Sequence, residues 1–330
     1  MDFCINQSNT HLGKTKTYNH FNRSFNKGVK VIGVGGAGIN IVNTMINSGI
    51  RNVDFAVVDT DVQKLNISNA SQKTAVGQNL TGGLSAGGKP DRGEQAVVEN
   101  VGVIRELISG IDIVFIVAGM SGGTGTGAAH VIARIAHEKK VLVMAAVMMP
   151  FEFEGSVRKE FAKNGIEKLR KNTDSLTIIR NEQIKIVNRE KTLGFIQAIN
   201  FANTIPCQIG QVLSELAVDS KRKKIINYMI RNAGNTFFAV GTGIGENRIN
   251  DAVQNAVSNA MLETNGIAGA RKILINIRLS GSLSDEEQNK IISLVKQYAD
   301  PQVHIRFIIS VSNNMYNPLT VAVIASGFRK

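Results

Sequence analysis

The segment Ser121-Gly122-Gly123-Thr124-Gly125-Thr126-Gly127 decides the fold of this 330-residue chain. It follows Ile111–Ala118, a near-continuous apolar run that predicts a strand buried on both faces of a parallel sheet. A helix is predicted to follow, over Ala128–Lys139. The unpaired N–H groups and the dipole at a helix start favour a phosphate, and glycines let the backbone approach the anion. The hydroxyls of Thr124 and Thr126 add donors, so the segment predicts a phosphate-binding turn.

Two more glycine-rich segments follow predicted strands. Val29–Val34 is an apolar run that opens into Gly35-Gly36-Ala37-Gly38. The strand predicted over Phe55–Val58 ends in Asp59-Thr60-Asp61, and the glycine cluster 82–88 comes later in the same connection. Because the carboxyl ends of parallel strands meet at one edge of a sheet, three such turns should converge there. We therefore predict a nucleotide site at that edge.

Two enzyme classes can be compared with this pattern. The segment 121–127 has no lysine of the Walker type, which excludes a P-loop nucleotidase. Gly33-x-Gly35-x-x-Gly38 also fits the dinucleotide fingerprint, with Asp59 about 20 residues later, where an acid would bind a ribose. A nicotinamide enzyme therefore remains a weaker alternative, as does a glycine-rich turn without any ligand.

The alternation of strands and helices predicts an α/β fold with a Rossmann-like parallel-sheet domain. Apolar residues then recur at helical spacing from Phe195 to Leu216, which predicts a long connecting helix that Pro206 should kink or break. Further strands and helices predict a second, smaller α+β domain. The expected organisation is a disordered tail (1–28), a nucleotide-binding domain (29–194), a central helix (195–218) and a C-terminal domain (219–330).

Composition limits the other classes. The chain carries 38 Lys and Arg against 26 Asp and Glu, a net charge of +12 and a pI near 9.7. An anionic partner, either nucleic acid or lipid, is one interpretation of this charge, and a solubility device is the other. No apolar run is long enough for a membrane span, and two cysteines give no disulfide framework, so a reducing cytoplasm is expected.

The glycine turns and Asp59-Thr60-Asp61 resemble those of the tubulin/FtsZ family, specifically bacterial FtsZ. The resemblance extends from Val29 to Gly327 and includes Pro150–Gly155 with Arg158. It implies that the ligand is GTP or GDP with Mg²⁺ beside the phosphates, and that subunits assemble head to tail. The residues that it implies for GTP binding are Gly35, Gly36, Ala37, Gly38, Asn40, Asp61, Gly87, Gly122, Gly123, Thr124, Gly125, Thr126, Gly127, Glu154, Arg158 and Asn200.

The resemblance also implies individual roles. Glu154 would accept hydrogen bonds from the ribose hydroxyls, Arg158 would contact the nucleotide, and Asn200 would read the guanine edge. Each has a structural alternative: Glu154 and Arg158 lie four apart and could form an exposed helix pair worth about 0.3 kcal/mol, and Asn200 could be a cap. His130 and His137 have no partners at metal-ligand spacing, so no metal ligands are expected among the protein's side chains.

The stretch after the long helix departs from the family. In members of that family, this stretch carries an Asn-x-Asp-x-x-Asp set that enters the next subunit's site and polarises the attacking water. This chain has Ser220, Arg222 and Ile225 at those positions. None of the three is a general base at neutral pH, so GTPase activity is left uncertain. Asp219, and Arg222 as a cation that stabilises a transferring phosphoryl group, are the remaining catalytic candidates. The run Lys221–Lys224 could grip a neighbour's GTP, or it could be a solvated basic loop.

Milder departures concern the pocket. Ala37 and Ser121 replace glycines, Asp59 replaces an asparagine, and Lys89 replaces an amide. Asp59 near phosphate is repulsive unless Mg²⁺ or Lys89 screens it, which predicts weakened or metal-dependent affinity.

Together these features predict an FtsZ-like, GTP-binding cytoskeletal protein whose filaments serve cell division, with hydrolysis weak or lost. The alternative is a non-polymerising GTP-binding regulator that caps or copolymerises with a standard FtsZ. The expected location is the cytoplasm at the division site. The sequence printed ends at Lys330 without the tail peptide that docks FtsZ on membrane anchors, so recruitment by those anchors is not expected. A basic surface that binds an anionic partner is the alternative means of localisation.

Overall fold

The protein is described by a computed structural model that covers residues 28–184, 195–264, 266–311 and 318–328. The predicted disordered tail lies outside these ranges except for Gly28. No helix among the described residues is long and apolar enough to cross a membrane.

A parallel sheet forms the first layer. Its strands are β1 (Val29–Val34), β2 (Asp54–Asp59), β3 (Gln72–Ala75), β4 (Ile113–Gly119), β5 (Leu142–Met149), β6 (Ser175–Arg180) and β7 (Gly234–Asn235). Their order is β3-β2-β1-β4-β5-β6-β7, and every neighbouring pair is parallel. The chain moves outward from β1 to β3 and then returns to the other side of β1 for β4. The gap between β1 and β4 is therefore the topological switch point, where open α/β sheets bind their ligands.

Helices cover both faces of this sheet. The helices of the first part of the chain are α1 (Gly35–Asn47), α2 (Val62–Asn66), α3 (Gln78–Thr81), α4 (Pro90–Glu99), α5 (Val101–Leu107), α6 (Gly123–Glu138) and α7 (Ser156–Arg170). Alternate strand residues belong to different cores: Val31 packs with Met45 of α1, whereas Ile32 packs with Ile132 of α6. Strands buried on both faces explain the near-continuous apolar runs in the sequence.

The second half contains a smaller, mixed sheet. Its helices are α8 (Phe195–Leu216), α9 (Ser220–Ile230), α10 (Arg248–Ala256) and α11 (Asp285–Lys296), and its strands are β8 (Phe237–Gly243), β9 (Lys272–Leu279), β10 (His304–Val311) and β11 (Leu319–Ser326). The order is β10-β9-β11-β8, with β9 parallel to β10 and antiparallel to β11. The α/β fold with a second, smaller α+β unit is thus confirmed.

Helix α8 connects the two sheets and runs parallel to α1. The Sγ atom of Cys207 lies 4.0 Å from the carbonyl oxygen of Ile41, and a Cβ on Gly210 would come within 3.1 Å of Met45 Sδ. The helix continues through Pro206, so the predicted break is absent. Pro206 has no N–H for the carbonyl of Ala202.

Two local predictions differ from the structure. Helix α6 begins at Gly123 rather than Ala128, so most of the glycine segment forms its first turns. The basic run Lys221–Lys224, described above as a loop, lies in α9, because the Asp219 carboxylate accepts a hydrogen bond from Arg222 N and starts a helix there.

Candidate functional site

A cavity of about 280 Å³ opens at the switch point, at the carboxyl edge of the parallel sheet. The ends of β1, β2 and β4 and the starts of α1 and α6 surround it. Its lining residues are Val34, Gly35, Gly36, Ala37, Asp59, Lys64, Ser85, Gly88, Gly119, Ser121, Gly122, Gly123, Thr124, Gly125 and Arg158. The glycine turns predicted to converge on one sheet edge therefore meet around a single cavity.

The starts of α1 and α6 are in contact, and glycine makes this possible. Gly35 has φ +72°, and a Cβ there would lie 2.7 Å from the backbone nitrogen of Gly125. A side chain at Gly35 would therefore be strained and would also push the two helices apart. Neither helix has a side-chain cap, since the N-cap residues Val34 and Gly122 make no such hydrogen bond. Two sets of unpaired N–H groups thus face one cavity, as an anion requires.

Asp59 is the buried acid of the cavity, with a side chain only 2% exposed. Its Oδ1 accepts from the backbone nitrogen of Thr60 at 2.7 Å, while Oδ2 has no hydrogen-bond partner among the described residues. Burial raises the pKa of Asp59, and hydrogen bonds and the nearby Lys64 offset only part of this effect. A carboxylate oxygen in this state fits a cation that bridges it to phosphate oxygens.

Two cations border the cavity. Lys64 lies beside Gly36, where a Cβ would come 3.6 Å from its Nζ, and it forms an ion pair with Asp61 at 3.5 Å. Arg158 donates to Glu154 Oε2 at 2.9 Å, so the two residues form the ion pair that was the structural alternative, although Glu154 lies before α7 rather than within it. Arg158 lines the cavity, whereas Glu154 does not and also accepts from a backbone N–H at the start of its own turn. Glu154 therefore orients Arg158 in the free protein.

Half of the predicted GTP-binding residues lie outside the lining. Gly38 and Gly127 are packing positions, since a Cβ would meet the carbonyl of Val117 at Gly38 and the carbonyl of Pro90 at Gly127. Asp61 is the N-cap of α2. The other residues outside the lining are Asn40, Gly87, Thr126, Glu154 and Asn200.

Sequence reasoning missed Lys64, Ser85 and Gly88 as lining residues. Ser85 and Gly88 lie on either side of the predicted Gly87 in the third glycine cluster. The sequence therefore indicated this cluster, but only Gly87 was predicted to bind the ligand. Lys64 had no signal of its own, because its role depends on α2 folding back beside Gly36.

Helix α8 carries two asparagines near the level of the cavity. The contacts of Ile41 with Cys207 and of Met45 with Gly210 set the register of α1 against α8, and this register carries the start of α8 to the carboxyl edge. Asn200 is exposed there. Asn203, one turn further along, is 4% exposed, and its Oδ1 has no partner among the described residues. Asn203 was also absent from the residues predicted from the sequence, although Asn200 and Asn203 share one helix face.

The two catalytic candidates lie far from this cavity. Asp219 caps α9, and Arg222 donates to the carbonyls of Glu215 at 3.1 Å and Ile309 at 3.2 Å. The first residue of α9, Ser220, borders a cleft with Ile113 and Leu142, the first residues of β4 and β5. The candidates are therefore near the amino edge of the sheet, about one strand length (~20 Å) from the cavity.

The two histidines of α6 lie in different environments. His130 is buried on α6, and its Nε2 lies 3.2 Å from Glu94 Oε2, which also accepts from Lys168 Nζ at 2.7 Å. His137 is exposed. The described residues contain no group of three or more His, Cys, Asp and Glu side chains that could hold a metal ion.

Comparisons with known proteins agree with this geometry. The family model "Tubulin/FtsZ family, GTPase domain" matches residues 28–188, and "FtsZ family, C-terminal domain" matches residues 234–329. An FtsZ dimer from M. jannaschii is 30% identical over 91% of this chain and 88% of that chain, with a TM-score of 0.82. A point mutant of M. jannaschii FtsZ is 30% identical over 92% of each chain, also with a TM-score of 0.82. A GDP-bound CetZ1 monomer from Haloferax volcanii is 20% identical over 92% of this chain and 95% of that chain, with a TM-score of 0.77, and shows the fold alone.

The fold and cavity thus define a nucleotide-binding GTPase fold of the tubulin type. The chain belongs to the tubulin/FtsZ family, as the family matches over both halves and the 30% identity show. Its GTPase domain implies that GTP and GDP are the ligands.

Proposed function

We propose that this protein is a GTP-dependent, filament-forming FtsZ homologue that acts in cell division and hydrolyses GTP slowly or not at all. The observation that carries the proposal is the separation of two surfaces. The nucleotide cavity lies at the carboxyl edge of the sheet, and the α8–α9 junction lies near the amino edge. One copy cannot bring the two together, but a head-to-tail neighbour can. Such heterologous contacts build filaments when their rotation does not close.

The cavity suits a nucleoside triphosphate with Mg²⁺. The uncapped starts of α1 and α6 would hold phosphate oxygens through backbone N–H groups, with Thr124 beside them. Asp59 would hold the cation, because Oδ2 is buried and has no hydrogen-bond partner in the described part of the chain. When bound, Mg²⁺ supplies the positive charge that lets this carboxylate and the phosphates share one cavity. Arg158 would contact the nucleotide from the rim.

Slow hydrolysis follows from the chemistry of the α8–α9 junction. Asp219 is its one carboxylate, and both Oδ atoms face Arg222, through the 2.8 Å cap hydrogen bond and a 3.4 Å contact with Nε. Arg222 is held by the carbonyls of Glu215 and Ile309, so it is not a free arginine finger in the single chain. A junction without a free general base would leave the attacking water poorly positioned. Neighbouring subunits would then stay joined by GTP.

Sedimentation and phosphate release, measured on the same samples over a range of protein concentrations with Mg²⁺ and GTP, test this proposal. We expect protein to pellet with GTP while little phosphate is released. Release that rises cooperatively with protein concentration would contradict slow hydrolysis and restore a catalytic role to Asp219 or Arg222.

The same experiment separates a filament from a regulator. Protein that never pellets alone, but enters the pellet of an active FtsZ added to the sample, would replace the filament proposal with capping or copolymerisation. Protein that does not bind a fluorescent GTP analogue in a separate titration would overturn both.

A further inference from the structure

A second and larger cavity lies on the opposite side of the parallel sheet from the nucleotide cavity. This amino-edge cleft has a volume of about 660 Å³ and is formed by the starts of β4 and β5 together with one face of α9. Its polar and charged lining residues are Asp112, Lys139, Lys140, Ser220, Lys223, Lys224, Asn227 and Arg231. Five cations and one carboxylate thus line a single recess.

The carboxylates near the cleft are already paired. Lys223 Nζ lies 3.1 Å from Asp112 Oδ2, which neutralises the one acid of the lining. Arg231 Nη1 lies 3.2 Å from Oδ2 of Asp174, which is fully buried behind the cleft. Both pairs are internal to the fold, so they leave the charge of the other lysines uncompensated.

Three lysines of the cleft carry that charge. Lys139, Lys140 and Lys224 are exposed, and none has an acidic partner within 4.0 Å among the residues that the structure describes. Lys140 is also held at φ +60°, a conformation in which glycine or asparagine is the usual residue. This conformation ends α6, because the N–H groups of Lys140 and Val141 donate to the carbonyls of His137 and Ala136, and it places the Lys140 side chain at the cleft.

We propose that the amino-edge cleft binds a phosphate chain, with Lys139, Lys140 and Lys224 as its principal contacts. Several ammonium groups around one recess raise the positive electrostatic potential inside it, which favours a compact anion of high charge. A flat bilayer or a duplex cannot reach side chains around a concave wall as a short phosphate chain can. The ligand is either a free polyphosphate or the phosphates of a nucleotide on a second copy, and the second source rests on the head-to-tail filament proposed above.

Lysine footprinting tests the proposal at single-residue resolution. Dilute wild-type protein is acylated with an amine-reactive reagent, with and without inorganic tripolyphosphate, and each lysine is quantified by mass spectrometry. We expect tripolyphosphate to slow the acylation of Lys139, Lys140 and Lys224 at least about fivefold at 0.1 M salt. The protection should fade at 1 M salt, where the screening length falls from about 10 Å to about 3 Å.

Two internal references make the result specific. Lys163, Lys290 and Lys296 are exposed and have no acidic partner within 4.0 Å among the described residues, so they should react at unchanged rates. Lys64 borders the nucleotide cavity, and its protection by GTP reports on the proposed function separately. If the protein does not bind nucleotide, Lys64 stays unprotected by GTP. If the cleft does not bind a phosphate chain, Lys139, Lys140 and Lys224 stay unprotected by tripolyphosphate, so the two failures are distinguishable.

The sources of the phosphate are separated with two variants of equal net charge. The cleft variant is Lys139→Gln/Lys140→Gln/Lys224→Gln, and its matched control is Lys163→Gln/Lys290→Gln/Lys296→Gln. Protection by tripolyphosphate in dilute protein supports a free anion. Protection only in GTP pellets, together with pelleting that the cleft variant loses and the control keeps, supports a neighbour's nucleotide.

Other outcomes overturn the proposal. These are equal protection of the reference lysines, no protection in either condition, or protection by DNA or anionic vesicles where tripolyphosphate gives none.

Discussion

At the scale of single residues, two buried polar atoms are candidates for direct contact with the proposed ligand. Asp59 Oδ2 and Asn203 Oδ1 both lack hydrogen-bond partners among the described residues. An unpaired buried acceptor costs about 1–3 kcal/mol, so a ligand that offers a cation to one and a donor to the other recovers that free energy. Substitutions of Asp59 and Asn203 therefore test the nucleotide site directly.

Asp59→Asn should make nucleotide binding less dependent on Mg²⁺. In the wild type, the carboxylate repels phosphate when no cation is present, so GTP affinity should fall steeply in EDTA. The variant should bind GTP about tenfold more tightly than the wild type in EDTA, the effect of removing about 1.4 kcal/mol of repulsion. Titration of a fluorescent GTP analogue, with Mg²⁺ and in EDTA, measures the affinities of the wild type and the variant. Asp61→Asn is the control, since Asn retains the cap of α2, and equal metal dependence in all three proteins would refute a role for Asp59.

Asn203→Ala should reduce the preference for guanine over adenine. A free amide oxygen can accept from N1–H or N2–H of guanine, whereas adenine has an acceptor at N1. We expect the ratio of GTP to ATP affinity to fall about tenfold, as for the loss of one buried hydrogen bond. Asn200→Ala, at an exposed position of the same helix, should change the ratio less than about threefold. The reverse order of effects would mean that Asn200 reads the base.

Protonation of His130 should destabilise the fold as pH falls. Burial lowers the pKa of His130, and Lys168 and Arg134 add to the effect against the opposing carboxylate of Glu94. The unfolded state therefore binds the proton more readily, so stability is complete above the unfolded pKa of about 6.5 and falls below it. Burial also raises the pKa of Glu94, but its contacts with Lys168 and His130 outweigh burial and lower it, so Glu94 titrates at lower pH.

Urea unfolding between pH 7.5 and 5.5 measures this effect. One proton gives a slope of at most about 1.4 kcal/mol per pH unit. His130→Gln should flatten the profile, whereas His137→Gln, at an exposed position of the same helix, should leave it unchanged. A wild-type profile that does not fall below pH 6.5 would show that His130 has an ordinary pKa.

At the scale of elements, helix starts define both edges of the sheet. Helices α1 and α6 begin without side-chain caps at the nucleotide cavity, where a ligand can satisfy their N–H groups. At the other edge, α9 begins with an Asp219 cap and needs no ligand. The helix N-termini are therefore uncapped at the edge where nucleotide binding is proposed. The helix N-terminus at the edge where hydrolysis is proposed to be lost is capped by a side chain.

Asp219→Ala and Asp219→Asn separate a cap from a catalyst. Alanine removes the acceptor for Arg222 N and should lower stability by about 1 kcal/mol, whereas asparagine caps almost as well as aspartate and should be neutral. We expect neither variant to change phosphate release per folded protein. A fall in release for Asp219→Asn at unchanged stability would identify a catalytic carboxylate.

At the scale of the whole molecule, a polar network fastens the C-terminal sheet to α8. Glu215 accepts from Arg278 Nη1 at 2.7 Å and from Asn276 Nδ2 at 3.0 Å, both on β9. Arg222 adds hydrogen bonds to the carbonyls of Glu215 and Ile309 of β10. The network therefore attaches β9 and β10 to the carboxyl-terminal end of α8.

Glu215→Ala should loosen this attachment. It leaves Arg278 partly buried and unpaired, which should cost about 2 kcal/mol and increase hydrogen exchange in β9. Glu138→Ala breaks an exposed pair, with both side chains more than half exposed, and should cost less than about 0.5 kcal/mol. Urea unfolding with exchange measured by mass spectrometry distinguishes the two, and equal effects would mean that the Glu215 network is not structural.

The sequence by itself determined the parallel sheet, the convergence of its glycine turns and the family, because apolar periodicity and glycine spacing are local properties of the chain. Only the tertiary structure decided that Lys64 borders the nucleotide cavity, and that Asn203 rather than Asn200 is buried with no partner among the residues that the structure describes. It alone brought Lys139 and Lys140 beside Lys224 in one cleft. These facts depend on the packing of segments far apart in the chain, which sets burial and charge neighbours and leaves no trace in local spacing.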